Sequence, residues 1–256
     1  MKIKLLATDL DGTLLEHKNR IKSNSIKSIK KFKEDKNFLV ISTGRHLGEI
    51  EFLKNEYGIE WDAAITLNGS VIVDKNKNIL IKKYISREIL QEIYDTYNKE
   101  NIDIFFSTEK EVYKLSGSKE YTRNAKFIEE GKINRENIVS FNMNFTDSNK
   151  SIGQIDEIVK KIKDKYRYEI DVFRNTKYID IAPIGCSKGN GVKYISEYFG
   201  INKTDVYCIG DSWNDASMFE IAAASATFHN VEEKLKSKVD MVVDEFNDFI
   251  SKIIEY

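Results

Sequence analysis

Apolar and polar positions alternate along the chain with two different periods. Residues 3–8 form a short apolar run that ends in the polar cluster Asp9-Leu10-Asp11-Gly12-Thr13, the pattern of a buried strand. Ile26, Ile29 and Phe32 follow at helical spacing behind Ser23, which predicts a helix with Ser23 as its N-cap. Residues 38–41 predict a second strand running into Ser42-Thr43-Gly44-Arg45. Residues 46–56 predict a helix, and residues 63–66 a third strand ending at Asn68-Gly69. Strands separated by single helices predict βαβ units and a parallel sheet. Residues 71–73 and 79–81, joined by a polar stretch, predict a hairpin that leaves this sheet.

The middle of the chain changes rhythm. It predicts a helix at 86–100, strands at 102–106 and 111–115, a helical stretch at 119–130 and a strand at 138–145. A helix at 152–163 and strands at 168–173 and 178–182 close the region. Adjacent strands without intervening helices predict an antiparallel α+β module. The opening rhythm then returns, with a helix at 191–199, a strand at 206–209, a helix at 216–222, strands at 226–228 and 241–243, and a terminal helix. The economical reading is one α/β core made from both chain ends, with a module inserted between them.

Composition narrows the function. The 256 residues carry 40 Lys+Arg against 41 Asp+Glu, a net charge of −1, so no overall field draws the protein to nucleic acid or to an anionic membrane. No apolar run approaches the roughly 20 residues of a membrane span. The N-terminal segment turns acidic at Asp9 before a signal-peptide core could form. The two cysteines are not spaced as CxxC and build no disulfide framework. The expectation is a cytoplasmic enzyme with no membrane and no nucleic-acid partner, its oligomeric state left open.

The candidate chemistry lies at the strand ends, where open α/β sheets bind ligands. The first strand delivers Asp9 and Asp11, the second Thr43, Gly44 and Arg45, the third Asn68 and Gly69, and the late strand Asp211, Asn214 and Asp215. One polar strand end is ordinary loop or cap chemistry; four that converge form a site. Asp9, Asp11 and Asp211, with Asp215, would repel one another without a hard divalent cation, and Mg²⁺ fits because it takes few carboxylates and keeps water and phosphate in its shell. The Thr43 hydroxyl and the N–H groups after it, at Gly44, suit phosphate oxygens. Lys188, within Gly185-Cys186-Ser187-Lys188-Gly189, supplies a compact cation. Arg45, Asn68 and Gly69 are expected to contact the substrate.

The residues Asp9-Leu10-Asp11-Gly12-Thr13 resemble the DxDGT motif of the haloacid dehalogenase-like phosphatases. Ser42-Thr43-Gly44-Arg45, Ser187-Lys188-Gly189 and Gly210-Asp211-Ser212-Trp213-Asn214-Asp215 are similar to that superfamily's second, third and fourth motifs. The large insert and Asn68-Gly69 resemble the Cof-type branch, mostly sugar-phosphate and related small-molecule phosphatases. The resemblance implies a Rossmann-like parallel-sheet core at residues 1–83 and 184–256, and an inserted α+β cap at residues 84–183 that closes over the site and reads the leaving group. It assigns Asp9 as nucleophile and Asp11 as general acid and base. It places Mg²⁺ on Asp9, the Asp11 carbonyl and Asp211, with Asp215 behind them, and phosphate on Thr43, Gly44, Lys188 and Asn214. Trp213 departs from the pattern, standing where a small residue is usual, and the tail after the fourth motif lacks the usual glycines.

The activity expected is Mg²⁺-dependent hydrolysis of small phosphorylated metabolites through an aspartyl-phosphate. A phosphotransferase or phosphomutase on the same scaffold is the alternative; a non-catalytic binding protein has no need of a nucleophile paired with its acid. Tyr113, Arg123, Asn124, Phe141, Asn142 and Arg174 are cap candidates by residue type alone. No P-loop or GxGxxG pattern is present, and His17, His46 and His229 form no metal motif.

Overall fold

The computed structural model describes residues 2–16, 19–99, 101–109, 111–116, 125–128, 132–133 and 135–255. Two compact units emerge, one of Met1–Ile81 with Ser187–Tyr256 and one of Lys82–Cys186. The first unit opens with β1 (Leu5–Thr8), α1 (Ser23–Glu34), β2 (Phe38–Ser42), α2 (Phe52–Tyr57), β3 (Ala63–Thr66), β4 (Val71–Asp74) and β5 (Ile79–Lys82). Every residue of β1 is buried, as befits a parallel strand covered on both faces. In α1, Ser25, Ile29 and Phe32 make the buried stripe. Lys22 rather than Ser23 holds the N-cap position, so this helix start has no side-chain cap. The helix expected at 46–56 divides into a 3-10 turn, Leu47–Ile50, and α2.

The expected hairpin does not leave the sheet. β4 pairs antiparallel with β3, Ile65 opposite Ile72, and β5 forms the sheet edge beyond it. The connection after β3 is too short for a crossover, since a parallel return needs about a dozen residues. The apolar residues of β4 are buried in consequence.

The second unit comprises α3 (Arg87–Tyr97), β6 (Asp103–Ser107), β7 (Val112–Ser116), β8 (Lys126–Phe127), β9 (Ser140–Asn144), α4 (Ile152–Lys165), β10 (Ile170–Asn175) and β11 (Tyr178–Pro183). The sheet order is β10-β11-β9-β6-β7-β8, and among the described residues of this sheet only β7 and β8 pair in parallel. Lys126 and Phe127 therefore lie in a strand, not in the helix expected at 119–130; residues 119–124 and 129–130 lie outside the described residues. The strand period of two separates the sheet faces. Ile104, Phe106, Phe141, Met143, Val172 and Ile179 share a core with Leu90 and Ile93 of α3 and Ile155 and Ile162 of α4. Asp103 and Lys114 fall on the other face and form a buried ion pair at 2.8 Å. Tyr113 and Phe141 are core residues, Asn142 donates to Asp180, and Arg174 pairs with Asp156 of α4. Arg123 and Asn124 lie outside the described residues.

The chain re-enters the first unit through α5 (Lys188–Tyr198), β12 (Val206–Ile209), α6 (Ala216–Phe219), β13 (Ala224–Phe228), α7 (Glu233–Lys236), β14 (Met241–Val243) and α8 (Phe246–Glu255). The sheet order is β14-β13-β12-β1-β2-β3-β4-β5, parallel from β14 to β3. Leu5 of β1 lies between Val206 of β12 and Phe38 of β2. The chain therefore departs from β1 in both directions across the sheet, and the carboxyl end of β1 is the switch point where α/β proteins bind ligands. The helix expected from residue 191 begins earlier, at Lys188, with Ser187 as its N-cap accepting from the Asn190 N–H at 3.0 Å. Among the described residues no helix is long and apolar enough to cross a membrane.

Candidate active site

Asp9 follows β1 directly, and its N–H still donates to Ile209 O at 3.0 Å, so the sheet ladder carries it to the site. The Asp9 side chain is buried, as are Lys188 and Asp215. Lys188 Nζ donates to Asp9 Oδ1 and to Asp215 Oδ1, both at 2.6 Å. An ammonium has three N–H bonds, so one remains for another acceptor. The first turn of α5 places this ammonium, and the Gly189 N–H donating to Ser217 Oγ at 3.0 Å ties that turn to α6.

Asp211 completes a carboxylate cluster: Asp9, Asp211 and Asp215 each offer an oxygen within 4.8 Å of the others. Gly12 makes this approach possible. Its φ is +84°, and a Cβ there would fall 2.4 Å from Asp211 Oδ2. Thr13 Oγ1 donates to Asp211 Oδ1 at 2.8 Å. The role of Thr13 was missed in the sequence, although the residue closes the first motif.

The electrostatics follow from burial. Desolvation raises the Asp9 carboxyl well above its ordinary value, the Lys188 charge opposes this, and Asp215 and Asp211 add to the rise. Burial and then the Asp215 charge raise Asp211 to about 6. Burial works against the Lys188 charge, but Asp215 and Asp9 outweigh it and hold the ammonium above the ordinary lysine value. Cys208, buried beside Asp215, has its thiol pushed up and stays an unreactive core residue.

The expected metal ligands divide into unequal pairs. Asp215 has no free carboxylate oxygen: Oδ1 accepts from Lys188, while Oδ2 accepts from the N–H groups of Asp211 and Ser212 at 3.0 and 2.9 Å. Its carboxylate locks the loop and the ammonium in place. Asp9 and Asp211 each bring a carboxylate oxygen within 4.8 Å of the other. Three carboxylates facing one ammonium also leave two negative charges uncompensated, so the donor set fits a hard divalent ion.

Asp11 stands outside this cluster. Its carboxylate is more than half exposed and lies in the fork of Arg45, whose Nε donates to Oδ2 at 2.7 Å and whose Nη2 donates to Oδ1. Arg45 Nη2 also donates to Asn19 Oδ1 at 2.7 Å, and Tyr57 Oη donates to Asn19 O at 3.1 Å. Arg45 thus engages Asp11, and neither Asn19 nor Tyr57 carried any signal in the sequence. Thr43 is buried, its Oγ1 accepts from the Arg45 N–H at 3.1 Å, and Gly44 beside it is exposed. Asn214 Nδ2 donates to Asn68 Oδ1 at 3.1 Å, both side chains being buried, and Gly69 packs against Ser187. Trp213 packs on the core cluster and its indole N–H donates to Glu232 at 3.0 Å.

A family model for haloacid dehalogenase-like hydrolases matches residues 6–251. The 5-amino-6-(5-phospho-D-ribitylamino)uracil phosphatase YcsE of Bacillus subtilis is 27% identical over 255 residues, covering 99% of this chain and 95% of that protein. Among solved structures, SMU.1108c of Streptococcus mutans superposes with a TM-score of 0.85 at 20% identity, covering 100% of this chain and 99% of that one. BT4131, described as a sugar phosphatase of subclass IIB, gives 0.81 at 21% identity with 98% of each chain covered. A match that runs from β1 into α8, on a fold whose switch point gathers Asp9, Lys188 and Asp211, means that the chain belongs to the haloacid dehalogenase-like hydrolases, in their Cof-type branch.

Proposed function

We propose that this phosphoric monoester hydrolase is a Mg²⁺-dependent phosphatase that acts on small phosphorylated metabolites, sugar phosphates foremost, by way of a phosphorylated Asp9. The observation that carries the reading is the Lys188 ammonium, shared between Asp9 and Asp215 with one N–H to spare, beside the neighbouring carboxylates of Asp9 and Asp211. Nucleophile, phosphate cation and cation-binding carboxylates thus meet at one strand end. The names of the relatives, a ribitylaminouracil phosphatase and a sugar phosphatase, support the substrate class.

In the mechanism we assign, the Asp9 carboxylate attacks phosphorus in line and the bond to the leaving oxygen breaks. Asp11 turns out of the Arg45 fork, takes up a proton from solvent and passes it to the leaving alkoxide; it then regains a proton from the water that cleaves the phosphoryl-aspartate, ready for the next turnover. The spare Lys188 N–H, the Thr43 hydroxyl, the Gly44 N–H and the Asn214 amide hold the transferring oxygens. Asp215 keeps Lys188 in place. Asp9, the Asp11 carbonyl and Asp211 would hold Mg²⁺, which would supply charge neutralisation between an anionic nucleophile and an anionic phosphate. The choice of leaving group is assigned to the Lys82–Cys186 unit.

The direct test is a panel of phosphomonoesters assayed for released phosphate with Mg²⁺ and with chelator. Release only with Mg²⁺ is expected, and metal-independent turnover would overturn the reading. A second test uses acidity. A carboxylate raised in the folded state stabilises the fold below its unfolded value near 3.8, and that stability is lost as pH climbs through about 6. The metal-free fold is thus weakened near pH 8, and a divalent cation restores it. At a hundredfold excess over its Kd the cation adds about 2.7 kcal/mol, a rise in Tm of roughly 5–10 °C. The Mg²⁺-induced rise in Tm should be large at pH 8 and shrink at pH 5, where protons occupy the pair. Equal rises at both pH values would exclude Asp9 and Asp211 as the ligands.

A further inference from the structure

The connection after β3 holds three consecutive buried residues in the left-handed region: Leu67 at φ 51°, Asn68 at 55° and Gly69 at 94°. Glycine adopts this conformation freely, asparagine tolerates it and leucine resists it, so the turn is strained and its surroundings must impose it. The restraints are all present. The Asn68 N–H donates to Thr43 O at 3.1 Å and the Leu67 N–H to Arg45 O at 3.2 Å, while the Thr43 N–H donates to Ile65 O at 2.8 Å. Ser70 Oγ donates to Leu67 O at 2.9 Å and closes the turn. A Cβ on Gly69 would lie 2.6 Å from the Ser187 carbonyl oxygen, so the turn also abuts the start of α5.

The left-handed turn delivers one polar side chain. Asn68 is 3% exposed, and its Oδ1 accepts from Asn214 Nδ2 at 3.1 Å. An amide oxygen is an acceptor and would repel a phosphate oxygen, so this end of Asn68 does not suit direct contact with the anion. It suits Asn214, whose amide it holds by one N–H while the other stays available. Asn214 is 2% exposed, and its Oδ1 has no hydrogen-bond partner among the described residues. A buried amide with an unpartnered oxygen can rotate to seek a donor; an acceptor on its nitrogen side fixes which way it faces.

We propose that Asn68 is a positioning residue for phosphate: the left-handed turn 67–69 sets the Asn214 amide with its N–H groups toward the anion. The proposal rests on the phosphatase reading above and adds to it a residue that acts only through another.

The test measures inhibition by inorganic phosphate, KM and kcat for an aryl phosphate, and Tm. Asn68→Gly keeps the left-handed backbone and removes the acceptor; Asn68→Ala removes the acceptor and also penalises the backbone. Both should raise the phosphate inhibition constant and KM by about tenfold, the worth of one hydrogen bond, whereas Tm should fall further for Asn68→Ala. A merely structural role would make the inhibition constant follow Tm. In an Asn214→Ala background, Asn68→Gly should change the constant by less than about twofold, because the partner through which it acts is gone. A wild-type constant in Asn68→Gly, or an undiminished tenfold effect without Asn214, overturns the proposal while leaving the phosphatase reading intact. A wild-type protein that releases no phosphate from any phosphomonoester, and is not inhibited by phosphate, overturns both.

Discussion

Replacing Asp9 by asparagine should lower kcat for any phosphomonoester by about 10⁴-fold or more while leaving the protein folded. An amide oxygen is too weak a nucleophile to form the proposed phosphoryl intermediate, yet the asparagine oxygen still accepts from Lys188 in the place of Asp9 Oδ1. The substitution also removes one of three crowded carboxylates. Burial and the charges of Asp215 and Asp211 already push the Asp9 carboxyl up, so its ionised form is costly in the metal-free fold. The Tm of metal-free Asp9→Asn at pH 8 should therefore equal or exceed that of the wild type, and its Mg²⁺-induced rise should be smaller. Activity and stability thus move apart. Turnover within tenfold of wild type would remove Asp9 from the chemistry, and a collapsed fold would give it a structural role instead.

Lys188→Met is the second large effect, and here activity and stability fall together. The ammonium is 1% exposed and pairs with two buried carboxylates at 2.6 Å each. Taking one partner from a buried pair costs about 3–5 kcal/mol, because the other charge is left uncompensated. For a chain of this size that corresponds to a fall in Tm on the order of 10 °C. The loss should be worse at pH 8 than at pH 5: without Lys188 the Asp9 carboxyl rises further, so acid neutralises it while alkali leaves it charged. kcat should drop by about 10²–10³, the usual worth of one preorganised donor at a developing charge. A Tm within a degree or two of wild type at pH 8 would show that the cluster is neutral without Lys188.

These expectations rest on a site whose ingredients were visible in the primary structure and whose wiring was not. The apolar run before Asp9 and those at residues 63–66 and 206–209 marked β1, β3 and β12. Each ended in polar residues, and a parallel sheet sends those ends to one edge. That much is local: strand periodicity reports burial, and burial of a short apolar run needs no knowledge of its neighbours. Helix starts were less legible. Ser23 had the right chemistry for a cap, yet Lys22 holds that position. The helix that carries Lys188 begins there and not at residue 191, because Ser187 caps it.

The amino-acid order alone therefore settled the α/β class and the positions of the central strands, and it supplied the residues proposed to handle phosphate. Tertiary structure decided which of them meet. Lys188 reaches Asp9 across 179 positions, Asn214 reaches Asn68 across 146, and Arg45 reaches Asp11 across 34. Pairings of that span depend on the strand order that sets β1 between β2 and β12, and on backbone turns whose strain only surrounding contacts can sustain. For that reason the commitment of both Asp215 oxygens, the Arg45 fork around Asp11 and the left-handed setting of Asn68 became visible only in the folded chain. Periodicity records whether a side chain is buried; it holds no record of the partner that burial selects.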